Sequence, residues 1–223
     1  VATALRATGN KEKTALERRG QIAVAAVRLF LKQGVANTSM RELAAEVGMT
    51  TGGLYHFFRS KNDIIRLVAQ HARSHHDTVK QFRQRLGDVS PTVAFRECAR
   101  YWLTVSKISQ EYTVFFDRET LHLGPGIREG FLDGVRGLIH YFEELLNDGI
   151  RAGEFQVDNV TLIAFNVVML RTQYGMRRWF LKDIMTPEEY ADQQVKAIMK
   201  QISVEKNQPR IEGKEAGLKD RET

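Results

Sequence analysis

The chain has one cysteine, Cys98, and four prolines in 223 residues. A single thiol excludes an intrachain disulfide framework and a cysteine-caged zinc site, and it suggests a reducing compartment. No apolar run reaches about 18 residues, so no membrane-spanning helix is expected. The start, VATALRATGNKEK, is polar and charged where a secretory leader needs an apolar core, and the expected location is the cytoplasm. No segment alternates as a strand, and no internal repeat is visible. A nucleophile–base pair, a phosphate-binding lysine loop and a dinucleotide fingerprint are all missing. Gly124, Gly126, Gly130, Gly134 and Gly137 lack the strand context that such a loop requires. Neither an enzyme nor a cofactor is expected.

What is present is helical pattern and uneven charge. With 43% hydrophobic residues the chain can bury a sizeable core. Residues 1–60 carry nine Lys/Arg against four Glu, residues 61–203 nineteen against eighteen, and residues 204–223 five of each sign. Nearly all of the net charge of +6 therefore lies in the first 60 residues. A basic block on a near-neutral body suggests that one end meets a polyanion. An architectural DNA binder would spread its basic charge more widely.

Apolar spacing and punctuation predict about nine helices in an all-α fold. Ile22, Ala26, Leu29 and Phe30 give one face to a first helix over roughly 14–33, which Gly34 ends. Ser39 with Glu42 has the form of a capping box, and Gly48 stops that short second helix. Thr50 can cap a third, and Ser60 with Asp63 a fourth that runs towards Leu86. Later helices are expected near 91–108, 110–123, 127–152, 158–180 and 187–202. Pro91, Pro125 and Pro187 stand near helix starts, and Thr186 with Glu189 forms another box. The expected organisation is a flexible basic arm over 1–13, a three-helix DNA-binding domain over 14–60, a larger helical domain over 61–203, and a polar, disordered tail over 204–223.

The second and third helices carry the most specific signal. Counting Met40 as first, Ala44 is fifth and Gly48 ninth, while Leu43, Val47, Met49, Leu54 and Phe57 fill the fourth, eighth, tenth, fifteenth and eighteenth places. This is the helix-turn-helix pattern: a small residue for close crossing, a glycine for the left-handed turn, and apolar positions that hold the second helix in place. Leu54, Phe57 and Phe58 read as core. Gly52 and Gly53 each cost the short third helix roughly 1 kcal/mol relative to alanine. A recognition helix entering the major groove accepts that cost because residues without bulk let the backbone approach phosphates and base edges. Such a helix is expected to be soft until it meets DNA.

The stretch TSMRELAAEVGMTTGGLYHFFRSKNDI resembles the DNA-binding signature of the TetR family of transcriptional regulators, over about residues 14–70. On that resemblance Thr50, Thr51, Gly53, Tyr55 and His56 look like recognition-helix contacts, Arg41 a reach from the second helix, and Lys61 a phosphate contact. Thr38 and Ser39 can donate to phosphate at the second helix's N-terminus, where the helix dipole favours an anion. Thr51-Gly52-Gly53 stands where the family more often has Lys-Gly-Thr, which shifts the expected base reading towards Arg41, Thr51 and His56.

For the larger half the resemblance implies ligand binding and dimerisation, with two long helices per subunit forming a four-helix interface. Leu162, Ile163, Ala164, Phe165 and the run 167–170 are apolar almost all round, and Tyr190, Ala197, Ile198 and Ile202 form a matching stripe. Aromatics cluster around an expected apolar tunnel: Phe95, Trp102, Phe115, Phe116, Phe165, Met169 and Tyr174 are the candidate lining, with ordinary core packing the alternative. VFFDRETLHL, EELLNDGIRAGEF and MRRWF are loosely similar to acyl-CoA-responsive, FadR-like members. That likeness implies an acyl group in the tunnel and Arg171, Arg177 or Arg178 facing nucleotide phosphates. His71 and His75 are one helical turn apart beside His76 and Asp77, a spacing that suits a metal, but no third ligand group is assured and no metal is expected.

The function expected from these residues is a homodimeric repressor that leaves a roughly palindromic operator when a small apolar effector, an acyl-CoA thioester among the candidates, binds. An architectural DNA-binding protein without effector, or a helical enzyme, is the alternative.

Overall fold

The computed structural model describes residues 2–104 and 107–204, with side chains described except at 2–16, 73–76 and 107. It contains ten α-helices among the described residues: α1 (Ala2–Gln33), α2 (Met40–Glu46), α3 (Thr51–Phe57), α4 (Lys61–Leu86), α5 (Pro91–Leu103), α6 (Lys107–Glu119), α7 (Pro125–Arg151), α8 (Val160–Met176), α9 (Arg178–Leu181) and α10 (Pro187–Ile202). A 3-10 turn over Thr120–His122 links α6 to α7. The tail read as disordered lies, from residue 205 on, outside the described residues. No helix among the described residues is long and apolar enough to cross a membrane.

Local chemistry explains most boundaries. Ser39, Ser60 and Thr186 close capping boxes with Glu42, Asp63 and Glu189. In each the hydroxyl accepts the backbone N–H three residues on, and the carboxylate accepts the cap's own N–H. Prolines open α5, α7 and α10, where a missing N–H costs nothing. Three expectations are corrected. The first helix starts at Ala2, so the stretch read as a flexible arm over 1–13 is helical from Ala2 on; it holds three alanines and two lysines and has no proline. The fifth helix ends at Leu103 rather than near Ile108, at a Thr-Val-Ser run of weak helix formers. The helix expected over 158–180 breaks at Arg177 into α8 and α9.

The helices enclose two apolar cores. The first joins Ile22, Ala26 and Phe30 of α1, Leu43 and Ala44 of α2, Leu54 of α3 and Ile64 and Val68 of α4 with Tyr112, Phe115 and Phe116 of α6. The second is built from the far half of α4 with α5, α7, α8 and α10. The domain boundary expected at 60/61 thus runs through a continuous core, because α4 and α6 supply a wall of the DNA-binding half. Phe30 stacks on Phe115 with centroids 5.6 Å apart, and Arg28 on α1 pairs with Glu111 on α6 at 3.0 Å.

The turn from α7 to α8 depends on one glycine. The Phe155 ring lies against Gly149 so closely that a Cβ there would fall 2.0 Å from a ring carbon. Phe155 also meets Phe95 edge-to-face at 5.7 Å, which ties this turn to α5. Gly137, on the same helix, is exposed with nothing near its Cβ position. The same substitution should therefore act with opposite signs. Gly137→Ala is expected to stabilise by up to about 1 kcal/mol through helix propensity and unfolded-state entropy. Gly149→Ala is expected to destabilise by about 1–3 kcal/mol through overpacking. Urea unfolding midpoints of both variants check the pair.

Candidate DNA interface and effector cavity

The α2–α3 pair folds around Ala44, buried between the two helices, and Gly48, whose φ of 65° is the left-handed value the turn needs. The Met49 N–H bonds the Ala44 carbonyl at 2.8 Å, and Arg18 of α1 donates to the Val47 carbonyl at 2.9 Å, satisfying the end of α2. Thr50 caps α3 by accepting the Gly53 N–H at 3.0 Å. Leu54 and Phe58 point into the core, while Tyr55, His56, Gly52 and Arg41 face solvent and Thr51 is half-buried.

Phe57, read as core, is instead 55% exposed and sits edge-on to His56 at 5.5 Å. The helix ends at Phe57 and Phe58 is extended, so the turn delivers the second ring to the core and leaves the first outside. Gly53 gains an intramolecular reason beside the expected one: a Cβ there would stand 3.0 Å from the capping Thr50 hydroxyl. Gly52 has open space around it.

Three expected phosphate contacts are placed differently. Thr38 is buried, and its hydroxyl donates to the Gly34 carbonyl at 2.8 Å. Ser39 is exposed, but its hydroxyl donates to the Glu42 carboxylate at 2.7 Å. The hydrogen bonds from the Ser39 side chain and backbone hold that carboxylate down to about 2, so a negative charge already occupies the α2 N-terminus. Lys61 turns inward: its ammonium donates to the carbonyls of Val35, Thr38 and Ala36, at 2.5, 2.9 and 3.3 Å. Its three donors are spent on the α1–α2 turn.

A cavity of about 400 Å³ opens between α4, α5, α6, α7 and α8. Trp102, Phe116, Phe165 and Met169 line it, as expected. Phe95, Phe115, Tyr174 and Arg178 do not. Phe95 packs edge-to-face on Phe142 in the second core, and Phe115 stacks on Phe30 in the first. Tyr174 lies against Tyr190 and reaches the Met185 carbonyl at 3.4 Å, and Arg178 is exposed on α9. Tyr112 on α6 and Phe131 and Val135 on α7, none of them among the expected lining, also face the cavity. The four-residue spacings Tyr112/Phe116 and Phe131/Val135 were the available signal. Arg171 also lines the cavity; its guanidinium lies 4.1 Å from the Trp102 ring centre, and burial pushes its pKa down to about 9.

Other candidates resolve as packing. His71 is half-buried beside Gly20 and Tyr112 where α1, α4 and α6 meet, and burial lowers its affinity for a proton. The side chains of His75 and His76 lie outside the described ones, and no trio of metal-binding groups occurs among the described residues. Cys98 is sealed in the second core, where burial pushes its thiol up to about 11.

A helix-turn-helix with an open recognition face, sharing a core with a ligand-sized cavity, defines a DNA-binding regulator. Residues 22–68 match the family model of bacterial regulatory proteins, tetR family, and residues 88–202 the tetracyclin repressor-like C-terminal domain. The chain belongs to the TetR family of transcriptional regulators. It is 26% identical over 179 residues to the HTH-type transcriptional regulator HbdR of Aromatoleum sp. (strain CIB), spanning 79% of this chain and 77% of that one. The HTH-type transcriptional regulator TtgR of Pseudomonas putida is 30% identical over 86 residues, 39% of this chain and 41% of its own length. Among solved structures, AibR in complex with isovaleryl coenzyme A and operator DNA superposes with a TM-score of 0.68 at 23% identity, covering 81% of this chain and 97% of that one. A ketosteroid transcriptional regulator of Mycobacterium tuberculosis gives 0.68 at 19% identity, covering 84% and 96%.

Because Lys61 bonds protein carbonyls, Lys61→Met should lower stability by about 1–3 kcal/mol. It should leave the slope of log operator affinity against log salt unchanged. A slope flattened by roughly 0.9 in the titration would return Lys61 to the phosphate set.

Proposed function

We propose that this regulator is a ligand-responsive repressor, homodimeric through α8 and α10, that leaves a roughly palindromic operator when a small apolar molecule fills the cavity. The observation that carries the reading is the shared wall. Phe116 lines the cavity while its neighbour Phe115 stacks on Phe30 of α1, so a ligand pressing on α6 presses on the DNA-binding half. Helix α4 offers a second lever, since it starts beside the recognition helix and places Ala72 at the cavity. A tilt of either changes the separation of two recognition helices in a dimer, and linkage then requires DNA to weaken the ligand in turn. The coupling is on the order of 1–3 kcal/mol.

Dimerisation is supported by α8, which turns Ile163 and Val167 inward yet leaves Leu162 52% exposed and Phe165 partly so; Ala197 on α10 is exposed too. Base readout falls to Arg41, Thr51, Tyr55 and His56, with Thr50, Gly52 and Gly53 bringing the helix close. Such a protein acts where the chromosome is, in the cytoplasm. The isovaleryl coenzyme A of the AibR complex brings acyl-CoA thioesters into the test, beside the free acids.

The test is a mobility shift on the DNA upstream of the protein's own gene, repeated with acyl-CoA thioesters and free acids. Release by at least one compound, altered in Trp102→Leu or Phe165→Leu, is expected; DNA binding that none of them changes speaks for an architectural protein. In the same assay Arg41→Ala and His56→Ala should change which base substitutions are tolerated, by about 1–3 kcal/mol at the affected position.

A further inference from the structure

We propose that the effector carries a carboxylate that Arg171 binds inside the cavity, so that the ligand is a compact organic monoanion with an apolar body. This deepens the ligand-responsive reading and rests on it. Arg171 is 7% exposed and lines the cavity from α8. Its Nε makes no hydrogen bond, and no carboxylate of the described residues forms an ion pair with it. A guanidinium keeps its proton at neutral pH even here, and a buried charge without a counter-ion costs several kcal/mol. Trp102 offsets part of that cost by presenting its ring face 4.1 Å away. A ring face cannot accept the in-plane N–H fork, whose geometry matches two carboxylate oxygens.

The rest of the lining sets what that anion is attached to. Phe116, Phe131, Val135 and Met169 offer apolar surface, and among the described residues the only other charged group on the wall is Asp117, an exposed carboxylate on α6. Among the described residues Arg171 is the sole basic group of the lining, so the several phosphates of a coenzyme find no second cation among them, and Asp117 repels them. The space of about 400 Å³ lies towards the small end of ligand pockets and suits a chain or ring of modest size.

The experiment titrates the purified full chain by calorimetry with decanoate and 4-phenylbutanoate, their methyl esters, and their coenzyme A thioesters. At least one acid is expected to bind roughly 10- to 100-fold more tightly than its ester. Arg171→Met should erase that difference and Arg171→Lys retain part of it, with circular dichroism checking the fold of both. The acid–ester comparison in the parent chain stands even if a variant fails to fold. Equal binding of acid and ester, an acid preference that survives Arg171→Met, tighter binding of the thioesters, or binding of none of the six compounds overturns the proposal. An Arg171-dependent acid preference without release of operator DNA would leave the carboxylate site standing and remove the ligand-responsive reading instead.

Discussion

Phe30 on α1 and Phe115 on α6 stack inside a core that neither the DNA-binding helices nor the cavity wall could close alone. Helices α2 and α3 are seven residues each, too short to hold their shape in isolation, and most of their stability must come from the faces they bury. Those faces meet α1 and α4, and α1 and α4 in turn meet α6. Burying each large aromatic contributes on the order of 1.5–3 kcal/mol, with about 0.5–1.5 more from ring geometry. The recognition helix is thus positioned by a core that also contains Tyr112 and Phe116, both of which line the cavity. The two halves are packed against each other through α1, α4 and α6.

Polar groups at the edges of this core are used to finish turns. Lys61 satisfies three carbonyls at the end of α1, Arg18 satisfies the end of α2, and Thr38 returns a bond to Gly34. Helix ends leave carbonyls without partners, and a short linker between two helices buries some of them. A cation from a neighbouring helix is an effective solution, since charge-assisted bonds are the stronger kind. The consequence is that two basic residues, Lys61 and Arg18, serve the fold, while Arg41 on α2 and the outer side of α3 stay open to solvent.

Glycine has three separate uses in this chain. Gly48 takes a backbone angle that other residues resist, Gly53 leaves room for the hydroxyl that caps its own helix, and Gly149 makes space for an aromatic ring across a tight turn. Gly52 meets nothing within its own chain. Its cost to α3 has no explanation in packing within the chain.

The sequence alone determined the helical class, the helix starts marked by a capping box or a proline, the helix-turn-helix and the family. These depend on bonds and spacings that close within about four residues: a hydroxyl and the N–H three residues on, a proline at the first helical position, apolar side chains at i, i+3 and i+4. Such patterns are complete within the segment that carries them. The tertiary structure decided which buried ring faces a cavity and which faces core. Phe115 and Phe116 are adjacent and equally buried, yet one stacks on α1 and the other lines the cavity. An apolar stripe states that a face is covered and is silent on what covers it. The same limit applied to charge: Lys61 and Arg171 look like solvent-facing or phosphate-binding cations in one dimension, and only the fold brings three carbonyls to the first and a tryptophan face to the second. Partners distant in sequence are set by how helices cross, and no local pattern records that.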